Sequence, residues 1–245
     1  MFPGFGTLVN VITVIVGSAI GLLLGHRLPQ RTRDTVTDGL GLVTLLIGGL
    51  SAVQVTSSVL SDAVGSSAPV LIVLGSLLIG GIIGSLIDIE QRLENLGVWL
   101  QYRFRAQGNQ ARFVEAFVSS SLVFCVGPLT ILGSLSDGLG LGADQLLLKA
   151  TLDGFASIAF AASLGIGVMA SALAVAVIQG SLTLVGVFVG DFLPAAHLAA
   201  ITATGGLLLV GVGLRLLQIK SVPVGNLLPA LVIAPLLTQL VVVLR

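Results

Sequence analysis

Two features of the sequence bring together residue types that could do chemistry, and both lie in the apolar stretch 113–169. Asp153 follows Lys149 by four residues, a spacing that places both side chains on one face of a helix. Further upstream, Gly127-Pro128 removes a backbone donor and disfavours helical geometry just before the proline. A carboxylate and a helix break are both costly in apolar surroundings, so each needs protein groups or water around it.

Each feature allows two interpretations. Asp153 forms either a simple i,i+4 ion pair with Lys149 or a proton- or cation-binding carboxylate that faces a cavity. The break is either a proline kink relieved by a neighbouring helix or a discontinuous helix that lines a polar site. Other polar residues of the apolar segments concentrate near the Gly127-Pro128 break and near the Gly225-Asn226 interruption of the last span. The predicted binding site for a small solute or ion therefore comprises Asp153, Ser121, Gly127, Pro128, Asn10 and Asn226.

The composition limits the class of protein. Hydrophobic residues make up 55% of the 245 residues and charged residues 9%, with a mean hydropathy of +1.11, which leaves too few polar residues to cover a soluble globule. Apolar runs of about 20 residues recur along the chain, the length a helix needs to cross a bilayer. We therefore predict an all-α membrane protein in a single transmembrane domain, with the lipid bilayer as a partner.

Several function classes are disfavoured. A net charge of +0 argues against a nucleic-acid partner. The single Cys125 excludes an internal disulfide and a multi-thiolate metal site. His26 and His197 lie in connecting segments, where neither is placed to serve as base or ligand for an intramembrane enzyme. We expect no enzymatic activity, no cofactor and no metal.

The apolar runs predict about eight transmembrane helices. With the N-terminus outside, nine of the eleven lysines and arginines fall on the cytoplasmic side, as the positive-inside rule requires. This count predicts a bacterial cytoplasmic (inner) membrane protein with both termini outside. The predicted spans are 5–25, 38–56, 68–87, 112–135, 147–169, 171–190, 199–217 and 226–244.

An internal repeat indicates the same count of spans. A shift of 165 positions aligns two segments without a gap, and five spans separate them, so the copies would enter the membrane from opposite faces. We predict an inverted-topology repeat of helices 1–3 (about 5–87) and 6–8 (about 171–244) around a broken fourth helix and the fifth helix (about 112–169). The identities are Gly21/Gly186, Gly25/Gly190, Leu28/Leu193, Pro29/Pro194, Thr37/Thr202, Gly41/Gly206, Leu42/Leu207 and Gly48/Gly213.

Two further segments have recognisable patterns. Glycines recur at helix-contact spacing at 17, 21 and 25 and again at 80, 81 and 84, which predicts close helix packing within the chain or a homo-oligomer contact. Segment 88–111 is polar, with its apolar residues on one side and Trp99 and Tyr102 among them. It is predicted to form a cytoplasmic interfacial helix.

Several phrases of the sequence together resemble one family. They are GTLVN at 6–10, IDIEQRLENLG at 87–97, FCVGPLTILGSLSDG at 124–138, LDGFASIAFAASLGIGV at 152–168 and VGNLLPAL at 224–231. They are similar to the bacterial membrane proteins of the YdfK and YqgA type, grouped as domain of unknown function 554. The resemblance spans essentially the whole chain and implies a multi-pass membrane protein.

Two functions are compatible with these patterns. The break and the intramembrane carboxylate favour a secondary transporter or channel for a small solute or ion. A non-transporting oligomeric scaffold or regulator would explain the glycine-rich faces without a cavity. The two differ in what surrounds the break, which is a polar site in a transporter and a sealed apolar contact in a scaffold.

Overall fold

A computed structural model describes residues 2–25, 28–103, 109–126, 128–189 and 194–244. These residues form twelve α-helices and one short 3-10 turn at Val53–Thr56, and they contain no β-strand. The helices are α1 Phe5–Gly25, α2 Gln30–Ala52, α3 Ser58–Val64, α4 Ala68–Ile87, α5 Ile89–Arg103, α6 Gln110–Cys125, α7 Pro128–Gly138, α8 Asp144–Leu164, α9 Gly167–Val189, α10 Ala195–Leu216, α11 Val224–Leu227 and α12 Ala230–Leu244.

Length and composition make most of these helices able to cross a bilayer. Within the described ranges, seven segments are long and apolar enough to do so, and the number rises to eight when α6 and α7 count as one bent span. The prediction of an all-α membrane protein is confirmed, and the predicted eight spans compare with seven, or eight when the bent pair counts as one. The segment of α2, the 3-10 turn and α3 counts as one of the seven, Gln30–Val64.

The chain divides into two compact units, and each unit is built from two separate stretches of sequence. Unit 1 comprises residues 1–40 and 94–192, and unit 2 comprises 41–93 and 193–245. The units do not coincide with the predicted repeats, because each one takes part of both. Asp153 and the helix break belong to unit 1, whereas Asn226 belongs to unit 2.

In unit 1, α1 and α8 pack closely in parallel. Gly17, Gly21 and Gly25 of α1 successively face Gly154, Ile158 and Ala162 of α8, so the contact advances along both helices together. A Cβ placed on Gly25 would lie 2.5 Å from the Ala162 carbonyl oxygen, so only glycine allows this approach. These glycines therefore pack within the chain. A homo-oligomer contact through glycine-rich faces stays a prediction.

In unit 2, α4 packs against α11 and α12, again through glycines. Gly80 faces Ala230 and Gly84 faces Asn226. A compact apolar core joins α3, α4, α10 and α12, and its fully buried members include Leu60, Ala200 and Ala234. Unit 2 thus has an interior of small and aliphatic side chains.

One predicted boundary lies elsewhere in the structure. The turn between the fifth and sixth spans was expected at 169–171, but α8 ends at Leu164 and α9 begins at Gly167. Gly165 has φ +96°, in the left-handed region that glycine adopts without strain, and it terminates α8 there. The segment predicted as an interfacial helix forms α5, with Trp99 and Tyr102 exposed.

Candidate functional site

A buried ion pair lies inside unit 1. Lys149 Nζ donates to Asp153 Oδ2, and the two residues are 6% and 7% exposed. Asn10 Nδ2 donates to the same carboxylate oxygen across 2.9 Å. The pair is the one that the simple interpretation predicts, but the close packing of α1 on α8 encloses it. A charged pair with so little solvent must depend on nearby polar groups.

The helix break lies beside this pair. α6 ends at Cys125, and α7 continues after a bend of 75°. Cys125, the last residue of α6, is buried and lies near both Lys149 and Asp153. The rings of Phe124 and Phe160 meet edge to face at 6.0 Å, holding that end of α6 against α8.

The break leaves backbone carbonyl groups without helical partners, and one of them accepts a hydrogen bond from a side chain. Thr130 Oγ1 in α7 donates to the Phe124 carbonyl across 3.2 Å, bridging the interruption. Val126 N closes the last turn of α6 on the Leu122 carbonyl. Pro128 begins α7, as expected for a residue that tolerates the first helical position.

Counting residues along the helices places Gln179 of α9 at the same depth as the helix break and Asp153. Phe113 of α6 contacts Gly167 of α9 near the start of both helices, close to where α8 ends. Cys125 lies 12 residues beyond Phe113, Gln179 lies 12 beyond Gly167, and Asp153 lies 11 before Leu164. At about 1.5 Å per residue, all three lie about 17–18 Å from that end, close to mid-membrane.

The contact between α1 and α9 also places Gln179 at the depth of the ion pair, beside Asn10. The Thr7 and Thr183 hydroxyls lie 3.4 Å apart. Because α8 and α9 are joined by a two-residue turn and α8 runs parallel to α1, α9 runs antiparallel to α1. Asn10 is three residues after Thr7 and Gln179 is four before Thr183, so both residues lie at nearly the same depth.

Gln179 is the residue whose role in this site the sequence did not reveal. It is fully buried, and neither its amide oxygen nor its amide nitrogen has a hydrogen-bond partner among the described residues. The Asn10 Oδ1 atom is also buried and unpartnered there. A glutamine in the middle of an apolar helix was the available signal, but only the fold shows its depth beside Asn10.

The predicted site residues are divided by the fold. Asn10 and Asp153 are bonded to each other, and Ser121 lies one turn before the break with a buried, unpartnered hydroxyl. Gly127 lies outside the described residues. Asn226 is in unit 2, where its Oδ1 accepts the Glu90 amide across 2.8 Å.

Another buried carboxylate in unit 1 has a different task. Asp137, near the end of α7, is 3% exposed and its Oδ2 accepts the amides of Gly4 and Gly6 at 3.2 and 3.1 Å. Gly6 belongs to the first turn of α1 and Gly4 directly precedes the helix, a position where backbone donors have no partner within the helix. Asp137 is therefore a long-range cap of α1.

Unit 2 also holds an ion pair. Arg215 Nη1 donates to Glu90 Oε1, and Gly225 N donates to Glu90 Oε2, both across 2.6 Å. The pair joins the end of α10 to the starts of α5 and α11, so its role is to fix helix ends.

In the described ranges, no cluster of three or more histidine, cysteine or acidic residues could hold a metal ion.

The apolar helices and the buried, helix-bound polar groups define a multi-pass, all-helical membrane protein. Comparison with known sequences then identifies its family. The family described as "Protein of unknown function (DUF554)" matches residues 5–239, and the chain belongs to it.

Two relatives extend over nearly the whole chain. The "Uncharacterized protein YqgA" of Escherichia coli is 31% identical over 232 residues, and the "Uncharacterized membrane protein YdfK" of Bacillus subtilis is 31% identical over 231 residues. Each alignment covers 94% of this chain and 94% of the relative. No solved structure matches the chain.

Proposed function

We propose that the protein is a secondary transporter or channel for a small cation, with its binding site at the discontinuous helix of unit 1. One observation carries the proposal: a buried carboxylate, Asp153, lies at the depth of the α6–α7 break together with unpartnered amide oxygens. Oxygen ligands are the donors that hard cations take. A packing role alone would not require such groups in the middle of a bilayer.

The Lys149 side chain supplies the second half of this mechanism. Its ammonium group neutralises Asp153 when no substrate is present, since an unpaired carboxylate at this depth would be costly. An incoming cation or proton competes with the ammonium for the same oxygen. Asn10 Oδ1 and Gln179 Oε1 then provide further oxygens at the same depth. Lys149 thus acts as a tethered substitute for the transported charge.

The contacts between α2 and α10 support an inverted repeat. Gly41 faces Leu217, and the equivalent pair after the shift of 165 positions is Gly206 facing Ala52. Two further contacts have such an equivalent. Along the contacts, the residue number in α2 rises while that in α10 falls, so the two helices cross antiparallel about a local twofold axis. The reciprocal pairs are 41–217 with 52–206, 48–210 with 45–213, and 48–206 with 41–213.

Inverted repeats are the common architecture of secondary transporters, because two related halves can exchange conformations to open a site alternately to either side. The positive-inside rule supports insertion in a bacterial cytoplasmic membrane with both termini outside. We further propose that this activity is non-enzymatic, as the sequence analysis expects.

Reconstitution into liposomes tests the proposal. The full chain is inserted into vesicles loaded with fluorescent indicators of pH, Na+ or K+, and flux is recorded after an imposed gradient. Asp153→Asn keeps the shape of the side chain and removes its charge, so we expect flux to fall to the level of empty vesicles.

Asp144→Asn is the matched control, since Asp144 is exposed at the start of the same helix and should leave flux unchanged. Gel filtration of both variants checks that they fold. Equal flux in wild type and Asp153→Asn, or no flux of any of the three ions, would refute cation transport and favour the scaffold.

A further inference from the structure

We propose a second site in unit 1, a pocket for a phosphate group at the end of the bundle where α1 and α8 finish and α6 and α9 begin. The inference does not depend on the transport proposal. A cavity of about 250 Å³ lies there, and two arginines, Arg33 and Arg112, are among its lining residues. The other lining residues are Leu22, Gly25, Asn109, Phe113 and residues 161–167.

Both guanidinium groups are held in place by the protein. Arg112 Nη2 donates to the Ser163 carbonyl across 2.6 Å, and Arg33 Nε donates to the Leu28 carbonyl across 3.2 Å. Ser163 also connects the two arginines, because its hydroxyl donates to the Arg33 carbonyl across 2.7 Å. Within the described residues each arginine donates one N–H to the backbone, and a guanidinium group carries further N–H donors that a ligand can use.

The charge of this pocket is not balanced. Neither arginine forms an ion pair within the part of the chain that the structure describes, and no acidic side chain is among the described lining residues. Two half-buried guanidinium groups beside one cavity repel each other and favour an anion between them. The planar fork of arginine matches phosphate oxygens, which makes a phosphate group the best-fitting ligand.

The position of the pocket is compatible with two sources of the phosphate group, a lipid headgroup and a free phosphate ion. Gly25, Leu164 and Gly167 are terminal or near-terminal residues of spanning helices, so the pocket lies at the depth of lipid headgroups rather than of acyl chains. An anionic phospholipid can present its phosphate there, and a free phosphate can enter from the aqueous side. The charge distribution predicts the cytoplasmic leaflet, which is rich in anionic lipid.

Binding to the full chain in neutral detergent tests the site. Native mass spectrometry with dioleoyl phosphatidylglycerol, against dioleoyl phosphatidylcholine, measures lipid binding, and calorimetric titration with inorganic phosphate measures the free anion. We expect Arg33→Gln and Arg112→Gln each to weaken binding by about tenfold or more, since each removes charge-assisted hydrogen bonds. Selective retention of phosphatidylglycerol assigns the source to lipid, and phosphate binding assigns it to the free anion.

Arg31→Gln is the matched control, because Arg31 is an exposed arginine two residues from Arg33 and does not line the cavity. If Arg112→Gln fails to fold without its bond to Ser163, Arg33→Gln decides the question alone. Arg33→Lys, which keeps the charge and loses the fork, replaces Arg33→Gln if that variant also misfolds. The proposal is overturned if neither probe binds the wild type, or if Arg31→Gln weakens binding as much as Arg33→Gln.

Discussion

The two units bury different kinds of side chain. Unit 1 holds the Lys149–Asp153 pair and six residues with buried polar atoms that lack partners in the described chain. Unit 2 holds one such residue, His197, and its Glu90–Arg215 pair fixes helix ends. Unsatisfied buried polar groups cost stability, so their concentration in one unit calls for a physical explanation. Under the proposed function, unit 1 provides the binding groups and unit 2 the supporting framework.

The strongest way to break this comparison is to remove one charge from unit 1. Asp153→Leu leaves the Lys149 ammonium buried without a partner, and we expect a loss of about 3–5 kcal/mol in the free energy of unfolding. The double variant Lys149→Met, Asp153→Leu removes both charges and should recover most of this loss. Reversible unfolding in mixed micelles measures both. A double variant as unstable as the single one would show that packing, not charge, determines the effect.

A second test concerns the unpartnered glutamine. Gln179→Leu removes two buried polar atoms without partners, so the free energy of unfolding should rise by about 1–3 kcal/mol. Under the proposed function the same variant should lose cation flux, because an oxygen ligand is gone. A protein that becomes more stable and less active would sharpen the contrast between the units. If Gln179→Leu is destabilising, the amide has a structural partner and does not belong to the site.

A third test probes the rigidity of unit 2. A Cβ on Gly48 would lie 2.8 Å from the Gly206 carbonyl oxygen, so Gly48→Val must push α2 away from α10 at a cost of about 1–3 kcal/mol. Gly213→Val, at the repeat-related position, should cost a similar amount. Thermal unfolding of the purified chain measures both shifts. Markedly unequal losses would argue against the local twofold axis.

The smallest effect is expected for Gly49→Ala, which serves as the control for Gly48→Val and Gly213→Val. Gly49 is the next residue of α2, and a Cβ there meets no atom within 4 Å. Gly49→Ala should therefore stabilise the helix by about 0.5–1 kcal/mol, because alanine loses less backbone entropy than glycine. The same thermal measurement detects it. A destabilised Gly49→Ala would mean that this open face packs against another molecule, such as a second copy of the chain.

Much of the helical architecture could be predicted from the sequence, because span length and apolar composition follow directly from bilayer thickness. Pro128 predicted the helix break, and the four-residue spacing predicted the Lys149–Asp153 ion pair. The turn at Gly165 was missed since a glycine inside an apolar run leaves no mark on hydropathy. Only its φ of +96° reveals the turn.

The candidate site was harder to predict because its members come from distant parts of the chain. Asn10 and Asp153 are 143 residues apart, and their depth in the bilayer made them plausible neighbours. Asn226 was predicted from the Gly225-Asn226 interruption at the start of the last span, but it belongs to unit 2 and its side chain accepts the Glu90 amide. Gln179 required the register between α1 and α9, which depends on the Thr7–Thr183 contact.

The Asp137 cap also bears on how the protein is made. α1 leaves the ribosome before α7, and the carboxylate that accepts the Gly4 and Gly6 amides is encoded more than 130 residues after them. Until α7 has been synthesised, the start of α1 must rely on water or headgroups for those hydrogen bonds. The final seating of the first helix during membrane insertion therefore waits for α7, and a nascent chain stalled before Asp137 holds α1 in a provisional position.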